Sequence, residues 1–532
     1  MARTRSVGMW LGTDQIVRLL RHAAACVFAV FSGMLLAATT TFDILEYEVK
    51  GNNLLPQTAV ERAVYPFLGP GRGVQDVEAA RARLQKAYRD AGYATVVVDI
   101  PEQSVDSGVV QLQVTESKVS RVRVVGSRYY EQGRIRAGTP SVTPGKTPSF
   151  TQFQNDLQTV NRFPGSKVTP VLRPGATTGT TEIDLVVEDK NPLSASLELN
   201  NHRSPNTTSS RVTASVSYAN LWQAQHNLSV QYQTAPEKPS EAKVWVVSYL
   251  MPLTDSDKML AMYGVRSRSA VAALSDFTVI GNGDIAGLRL VNPLPPLGAL
   301  YHSATLGLDY KDFQENLVQP GTPGVQTPIR YVTAGVSWAG SRASAKGESQ
   351  FGTGLVFGVR GAGSDELVFD NKRFKSRGNF FVLKWEAQRT QAISKSMALA
   401  TKLDGQFADQ PLVANEQFSA GGAASVRGYR ESERVGDNAA HAMIELRGPS
   451  LLRGGANARL QPLAFVEGAY LWLNKPLPGE QSDFSLYSAG VGLRLSDWHG
   501  LDASFEIAWP LKETLYSNVG DTRAVLSAKL KF

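Results

Sequence analysis

The sequence predicts an all-β, sixteen-stranded antiparallel transmembrane β-barrel preceded by two small α+β domains. Three observations carry this. From Leu193 to the C-terminus the chain falls into sixteen segments in which apolar and polar residues alternate. The connections between those segments alternate between short and long, and a similar order of strands and helices occurs twice before the first of them. An even number of strands of roughly ten residues is what a membrane demands, since lipid leaves no partner for an open sheet edge. Composition agrees: the 532 residues include 47 glycines and are 42% hydrophobic, which argues against a helical membrane protein. The net charge of +7 is spread without a Lys/Arg block, so no nucleic-acid partner is expected.

The elements follow in chain order. Residues 1–39 read as a secretory signal: Arg3, Arg5, Arg18 and Arg21 precede an apolar run from Ala23 to Ala38, too short to span a membrane comfortably, with cleavage expected near 37–40. Cys26, the single cysteine, lies inside this segment, where a lipoprotein reading is disfavoured because no apolar region precedes it; the mature chain then has no disulfide. Over residues 42–117 the pattern is strand, helix, helix, strand, strand: 44–49 extended, Gly51-Asn52 a break, 56–68 a helix, 74–91 a second helix, then 94–100 and 109–116 extended. In the second helix Val77, Ala80, Leu84, Ala87, Tyr88 and Ala91 fall on one stripe, and Gly92 stops it. Over 118–190 the order recurs, with 122–125 extended, Gly126-Ser127 a break, a helix marked by Phe150, Phe153, Leu157 and Val160, and strands near 167–172 and 182–188. The period is about 75 residues, aligning Gly51 with Gly126 and Leu112-Gln113-Val114-Thr115-Glu116 with Leu185-Val186-Val187-Glu188. This order, with a glycine after the first strand and an acidic residue closing the last, resembles the polypeptide-transport-associated (POTRA) domain, which implies capture of an unfolded client at a sheet edge.

The barrel is expected over 193–532. Leu193, Ala195, Leu197 and Leu199 alternate with Ser194, Ser196, Glu198 and Asn200, and Ala524, Leu526, Ala528, Leu530 and Phe532 face away from Ser527, Lys529 and Lys531. The fourteen other segments lie near 210–219, 226–235, 242–252, 258–267, 284–293, 299–312, 329–339, 348–360, 379–392, 396–408, 440–448, 457–473, 484–496 and 500–510. Short connections at 221–225, 253–257, 295–298, 393–395 and 497–499 contrast with long ones at 268–283, 313–328, 361–378 and 410–438. The alternation, which has one exception among the short ones, puts both chain ends in the periplasm. Trp222, Trp245, Trp385, Trp472 and Trp498 are expected at interfaces or in the wall.

The loop over 410–438, sixth on the outer side, carries Val426-Arg427-Gly428-Tyr429 behind a glycine-rich approach. An arginine folded into a barrel lumen requires an inward-facing carboxylate in two-pronged geometry. Two POTRA-like units, sixteen strands, this motif in this loop and a terminal aromatic resemble the two-partner secretion transporters (TpsB, the haemolysin and filamentous-haemagglutinin secretion-activation proteins) of the POTRA-bearing barrel superfamily. The resemblance implies a Phe-x-Asp-x-Gly pattern on the thirteenth strand, met here by Phe465-Val466-Glu467-Gly468-Ala469, with Glu for Asp and the glycine one position early. Phe465 and Glu467 are expected to point inward, and Gly468 toward lipid. In a wet lumen the Arg427–Glu467 pair is expected to contribute about 1–4 kcal/mol. The resemblance further implies a large β-helical exoprotein as client, outer-membrane lipid as surroundings, and barrel-assembly machinery that reads Phe532. Many relatives carry an N-terminal plug helix. No room for one is apparent between the signal and the first strand, so a larger or more frequently open pore is expected.

No catalysis, cofactor or metal is expected: the six histidines are scattered, no Gly-x-Ser-x-Gly elbow occurs, and Gly352-Thr353-Gly354 lies in a strand. A barrel-assembly factor and a diffusion porin are the alternative functions. The first usually has more POTRA domains, and the second has no use for any.

Overall fold

The computed structural model describes residues 41–161, 165–253, 256–269, 271–274, 277–317, 325–452 and 458–532. The signal expected over 1–39, and with it any plug segment, lies outside them. The chain forms two compact units, the larger built essentially from Asp189–Phe532.

In the N-terminal unit each repeat builds the same three-stranded sheet. Glu46–Lys50 runs parallel to Val109–Glu116, which is central, and Val96–Asp99 is antiparallel on its far side. In the second repeat Lys118–Val125 runs parallel to Thr180–Asp189, with Ser166–Pro174 at the other edge. Helices Gln57–Val64 and Val74–Asp90 cover the first sheet and bury Val60, Leu84 and Tyr88 against Leu112 and Val114. The break glycines have one physical reason in both copies. Gly51 (φ +85°) and Gly126 (φ +89°) are left-handed, and a Cβ there would lie 2.3 Å from the Val114 carbonyl oxygen or 2.7 Å from that of Val187. Glu116 accepts the N–H groups of Asn53 (2.7 Å) and Leu54 (3.0 Å), while Asp189 accepts those of Arg128 and Tyr129 (both 2.8 Å). The acidic residue matching Glu116 is therefore Asp189 and not Glu188, one position later than the sequence alignment put it. Two short elements escaped the sequence reading: helix Gln132–Ala137, and strand Gly69–Arg72, which pairs with Phe42–Ile44.

The barrel is closed and has sixteen antiparallel strands in chain order. They span Leu193–Asn200, Arg211–Leu221, His226–Thr234, Ala242–Pro252, Met259–Ser269, Gly283–Leu297, Leu300–Leu317, Val325–Ser344, Gly347–Gly363, Phe381–Ala392, Ala398–Ala408, Asn438–Arg447, Arg459–Trp472, Asp483–Trp498, Leu501–Pro510 and Arg523–Lys531. The last strand closes on the first from Ser527 opposite Asn200 to Lys531 opposite Ser196. Alternation sets the faces: Leu197, Val216, Val247, Leu306 and Val466 are exposed on the outer surface of the barrel, while the opposite parity lines the lumen. Loops fold inward at the outer end. Phe369, on helix Glu366–Lys372 between the ninth and tenth strands, packs with Tyr331, Phe380, Leu412 and Val413 into a lumenal core. That helix lies within the long connection expected over 361–378.

Candidate functional site

The sixth outer loop leaves the eleventh strand at Ala408 and returns at Asn438. Its stem is a small ribbon, Phe418–Ala420 against Arg434–Gly436, and its tip carries the motif. At the base, Glu416 accepts from Lys311 Nζ (2.5 Å) and the Tyr331 hydroxyl (2.7 Å), and Asp437 accepts the Leu412 and Asn474 N–H groups (2.9 and 2.7 Å). Gly421 and Gly422, both near φ +100°, turn the stem into the tip, where Glu431 caps the Ala423 N–H at 2.8 Å.

Arg427 reaches three carboxylates on three strands. Its backbone N–H and Nε donate to Glu467 on the thirteenth strand, both at 2.8 Å, and its Nη2 stands 2.6 Å from the same carboxylate. Nη1 donates to Glu445 on the twelfth strand (2.8 Å) and Glu506 on the fifteenth (2.9 Å). The guanidinium carbon lies over Phe465, 3.4 Å from the ring centroid, which adds a cation–π contact. Arg494 bridges Glu445 and Glu506 from the fourteenth strand at 2.9 and 3.0 Å, and Arg447 binds Glu445 at 2.8 Å. Three arginines thus meet three glutamates, which balances the formal charge.

The setting differs from the wet lumen assumed for the pair. The side chains of Arg427, Glu445, Glu467 and Glu506 are all no more than 5% exposed. Dry ion pairs attract strongly yet pay for lost hydration, so removing one partner is expensive, about 3–5 kcal/mol, because the rest stays buried and unbalanced.

The neighbouring motif residues fix the tip by shape. Val426 and Tyr429 are fully buried among Ala420, Ala439, Ala469, Leu471 and Leu486. The Tyr429 hydroxyl sits between the carbonyls of Lys512 (2.8 Å) and Tyr487 (3.1 Å). His441 links the wall to the tip, with Nδ1 2.7 Å from Asp404 and Nε2 3.1 Å from the Ser425 carbonyl. The fourteenth strand turns Ser488, Gly490 and Gly492 inward, and this small-residue row makes room: a Cβ at Gly490 would lie 2.2 Å from the Phe465 ring.

Sequence reasoning therefore named Arg427, Phe465 and Glu467, which the structure brings into contact, and missed Glu445, Glu506, Arg494 and Arg447. A signal was available, since all four occupy inward parity between outward-facing apolar neighbours such as Ile444, Leu446, Leu493 and Phe505. Gly468 stays outside the cluster, against the Tyr487 ring. Phe532 also lies apart, 72% exposed, with its N–H donating to the Ala195 carbonyl at 2.9 Å. Among the described residues there is no grouping of His, Cys, Asp and Glu that could hold a metal. Beside the loop a cavity of about 640 Å³ remains in the lumen, lined by charged residues that include Arg289, Asp309, Lys384, Glu386 and Lys402.

Comparisons with known proteins agree with this architecture. The profile of the POTRA domain, ShlB-type, matches residues 42–117. The chain is 22% identical over 476 residues to the outer membrane transporter CdiB of Dickeya dadantii, covering 88% of this chain and 83% of that one. It is 20% identical over 468 residues to the heme/hemopexin transporter protein HuxB of Haemophilus influenzae, covering 84% and 80%. The solved structure of CdiB from Escherichia coli superimposes with a TM-score of 0.66 at 18% identity, covering 94% of this chain and 92% of that one. The profile of the haemolysin secretion/activation protein ShlB/FhaC/HecB matches residues 179–495, more than half the chain, and so the chain belongs to that family, the outer-membrane transporters of two-partner secretion.

Proposed function

We propose that the sixth loop is a releasable latch across the transport path of an unfolded exoprotein, and that Arg427 is its catch. The observation that supports this reading is the convergence of three wall carboxylates on one loop arginine. All the attachments of the tip are ion pairs, hydrogen bonds and packing, so nothing covalent opposes its withdrawal when a client enters. In this reading both N-terminal repeats are POTRA domains, and a client adds a strand at an exposed sheet edge. It then threads through the charged cavity beside the loop and folds outside, and that folding supplies the drive. A large β-helical exoprotein fits, since its strands can form one after another as they emerge. Phe532 serves barrel-assembly machinery as an exposed terminal aromatic, and the outer band of Leu and Val side chains takes up membrane lipid.

The test replaces Arg427 by Ala. Folded, heat-modifiable barrel in the outer membrane with secretion of the exoprotein reduced at least tenfold is the expected outcome. Normal secretion would overturn the latch, and loss of folded barrel would assign Arg427 a purely structural role.

A further inference from the structure

The outward face of the barrel carries a charged row that transport does not use. Val244 and Val246 are buried in the lumenal core, so Lys243, Trp245 and Val247 on the fourth strand point away from the lumen. Register carries that orientation across the sheet. Lys243 lies opposite Arg268 and Trp245 opposite Arg266, then Arg266 opposite Asp284, Asp284 opposite Asp312, and Asp312 opposite Arg330. All sit at the strand ends that lead into the long outer loops. Beneath them Val247, Met262, Leu288 and Leu308 form exposed apolar surface for lipid. Trp245 and Tyr232, with ring centroids 4.4 Å apart, mark the boundary between the two zones.

Two of the four cations in this row are neutralised. Arg266 gives Nε and Nη2 to Asp284 at 2.9 and 3.2 Å, and Arg330 gives Nε to Asp312 at 2.9 Å. Lys243 and Arg268 are not. They stand directly opposite one another as a like-charge pair, which costs stability in a sheet. Arg268 Nη1 reaches the carbonyl of its neighbour Ser267 at 3.2 Å, and among the described residues neither side chain forms an ion pair. A phosphate between them would convert the repulsion into a two-cation clamp, with guanidinium and ammonium both donating.

A surface that faces lipid at the outer boundary of the bilayer meets phosphate as part of a lipid headgroup. We propose that Lys243 and Arg268 bind the phosphate groups of a phosphorylated glycolipid in the outer leaflet. The apolar strip below takes the acyl chains, and Trp245 sits at the level of the headgroup.

The full-length protein in detergent micelles would be titrated with bisphosphorylated lipid A, with the same lipid after enzymatic removal of its phosphates, and with inorganic phosphate, bound lipid being counted by native mass spectrometry. Wild-type protein is expected to retain the bisphosphorylated lipid. The Lys243→Ala/Arg268→Ala variant should retain it about thirtyfold more weakly, as the loss of two interfacial cations implies. Removing the phosphates should weaken wild-type binding to a similar degree, and inorganic phosphate at equal concentration should not displace the lipid. Equal retention by the variant, equal retention of the dephosphorylated lipid, or displacement by inorganic phosphate would each overturn the proposal. Heat-modifiable migration reports folding, and the Lys243→Gln/Arg268→Gln variant run alongside keeps the test open if the alanine pair misfolds.

Discussion

A methyl group on Gly428 would lie 2.8 Å from the Ser488 Cβ and 2.9 Å from the backbone nitrogen of Pro510. Neither neighbour is the free end of a flexible side chain, so the tip itself would have to lift. Overpacking of this kind costs about 1–3 kcal/mol. Here it would act on the residue between Arg427 and Tyr429, whose bonds to the wall depend on close approach. Gly428→Ala should therefore expose the Arg427 peptide bond to trypsin added outside intact cells, where the wild-type tip, with Arg427 4% exposed, resists it; unchanged resistance would show that the wall yields instead. The glycine's role was legible only as part of a four-letter motif. Arg427 was readable because a lone arginine on a glycine-rich loop needs a carboxylate, and Glu467 because the resemblance to the two-partner secretion transporters implies an acid at that place on the thirteenth strand. For Glu445, Glu506 and Arg494 parity shows only that they face inward, as many charges of a polar lumen do. Which of them meet at one height is set by the stagger of neighbouring strands, and that stagger does not appear in one dimension.

Among the elements, the strands of the second repeat show how charge pins a parallel pair. Arg123 and Asp184 are register partners, joined by Nε to Oδ1 at 2.7 Å and Nη2 to Oδ2 at 2.8 Å, with Arg173 3.3 Å from the same carboxylate. Hydrogen bonding from Arg123, backed by its charge, holds the Asp184 carboxyl below the usual range. A carboxyl depressed in the folded state contributes stability that is full above its unfolded value, near 4, and is lost as pH falls through the lower folded value. Arg123→Ala should therefore speed proteolysis of the N-terminal unit at pH 7, and the difference from wild type should shrink as pH drops below about 4. A pH-independent difference would mean that the arginine acts through packing alone. Periodicity found all sixteen barrel strands and the long helices, since each repeats its pattern many times over. Gln132–Ala137 and Glu366–Lys372 stayed hidden because six or seven residues hold too few turns to show a stripe. The Glu188 alignment slipped by one because adjacent Glu188 and Asp189 are both acidic, and only the backbone N–H groups they face distinguish them.

At the scale of the whole barrel, the lumen is divided between a side filled by the loop tip, along the twelfth to fifteenth strands, and a side that keeps a cavity of about 640 Å³ along the sixth to eleventh. The loop is held at its base by Glu416 and Asp437 and at its tip by Arg427. Loss of the tip contacts alone should therefore leave the base in place and let the tip swing within the lumen without unfolding the wall, so that ions pass more often while the unanchored tip still obstructs an entering chain. In planar bilayers Arg427→Ala should open more often, or to a larger conductance, than the wild-type protein. Ionic strength gives an independent check. Exposed pairs are screened within about 8–10 Å at ordinary salt, whereas a dry cluster is screened far less. Wild-type open probability should thus change little between low and moderate salt, once conductance is scaled for the ions carried. A strong rise in opening with salt would mean that the pairs holding the tip are solvated, and an Arg427→Ala conductance histogram identical to wild type would mean that packing of Val426 and Tyr429 holds the tip without the arginine.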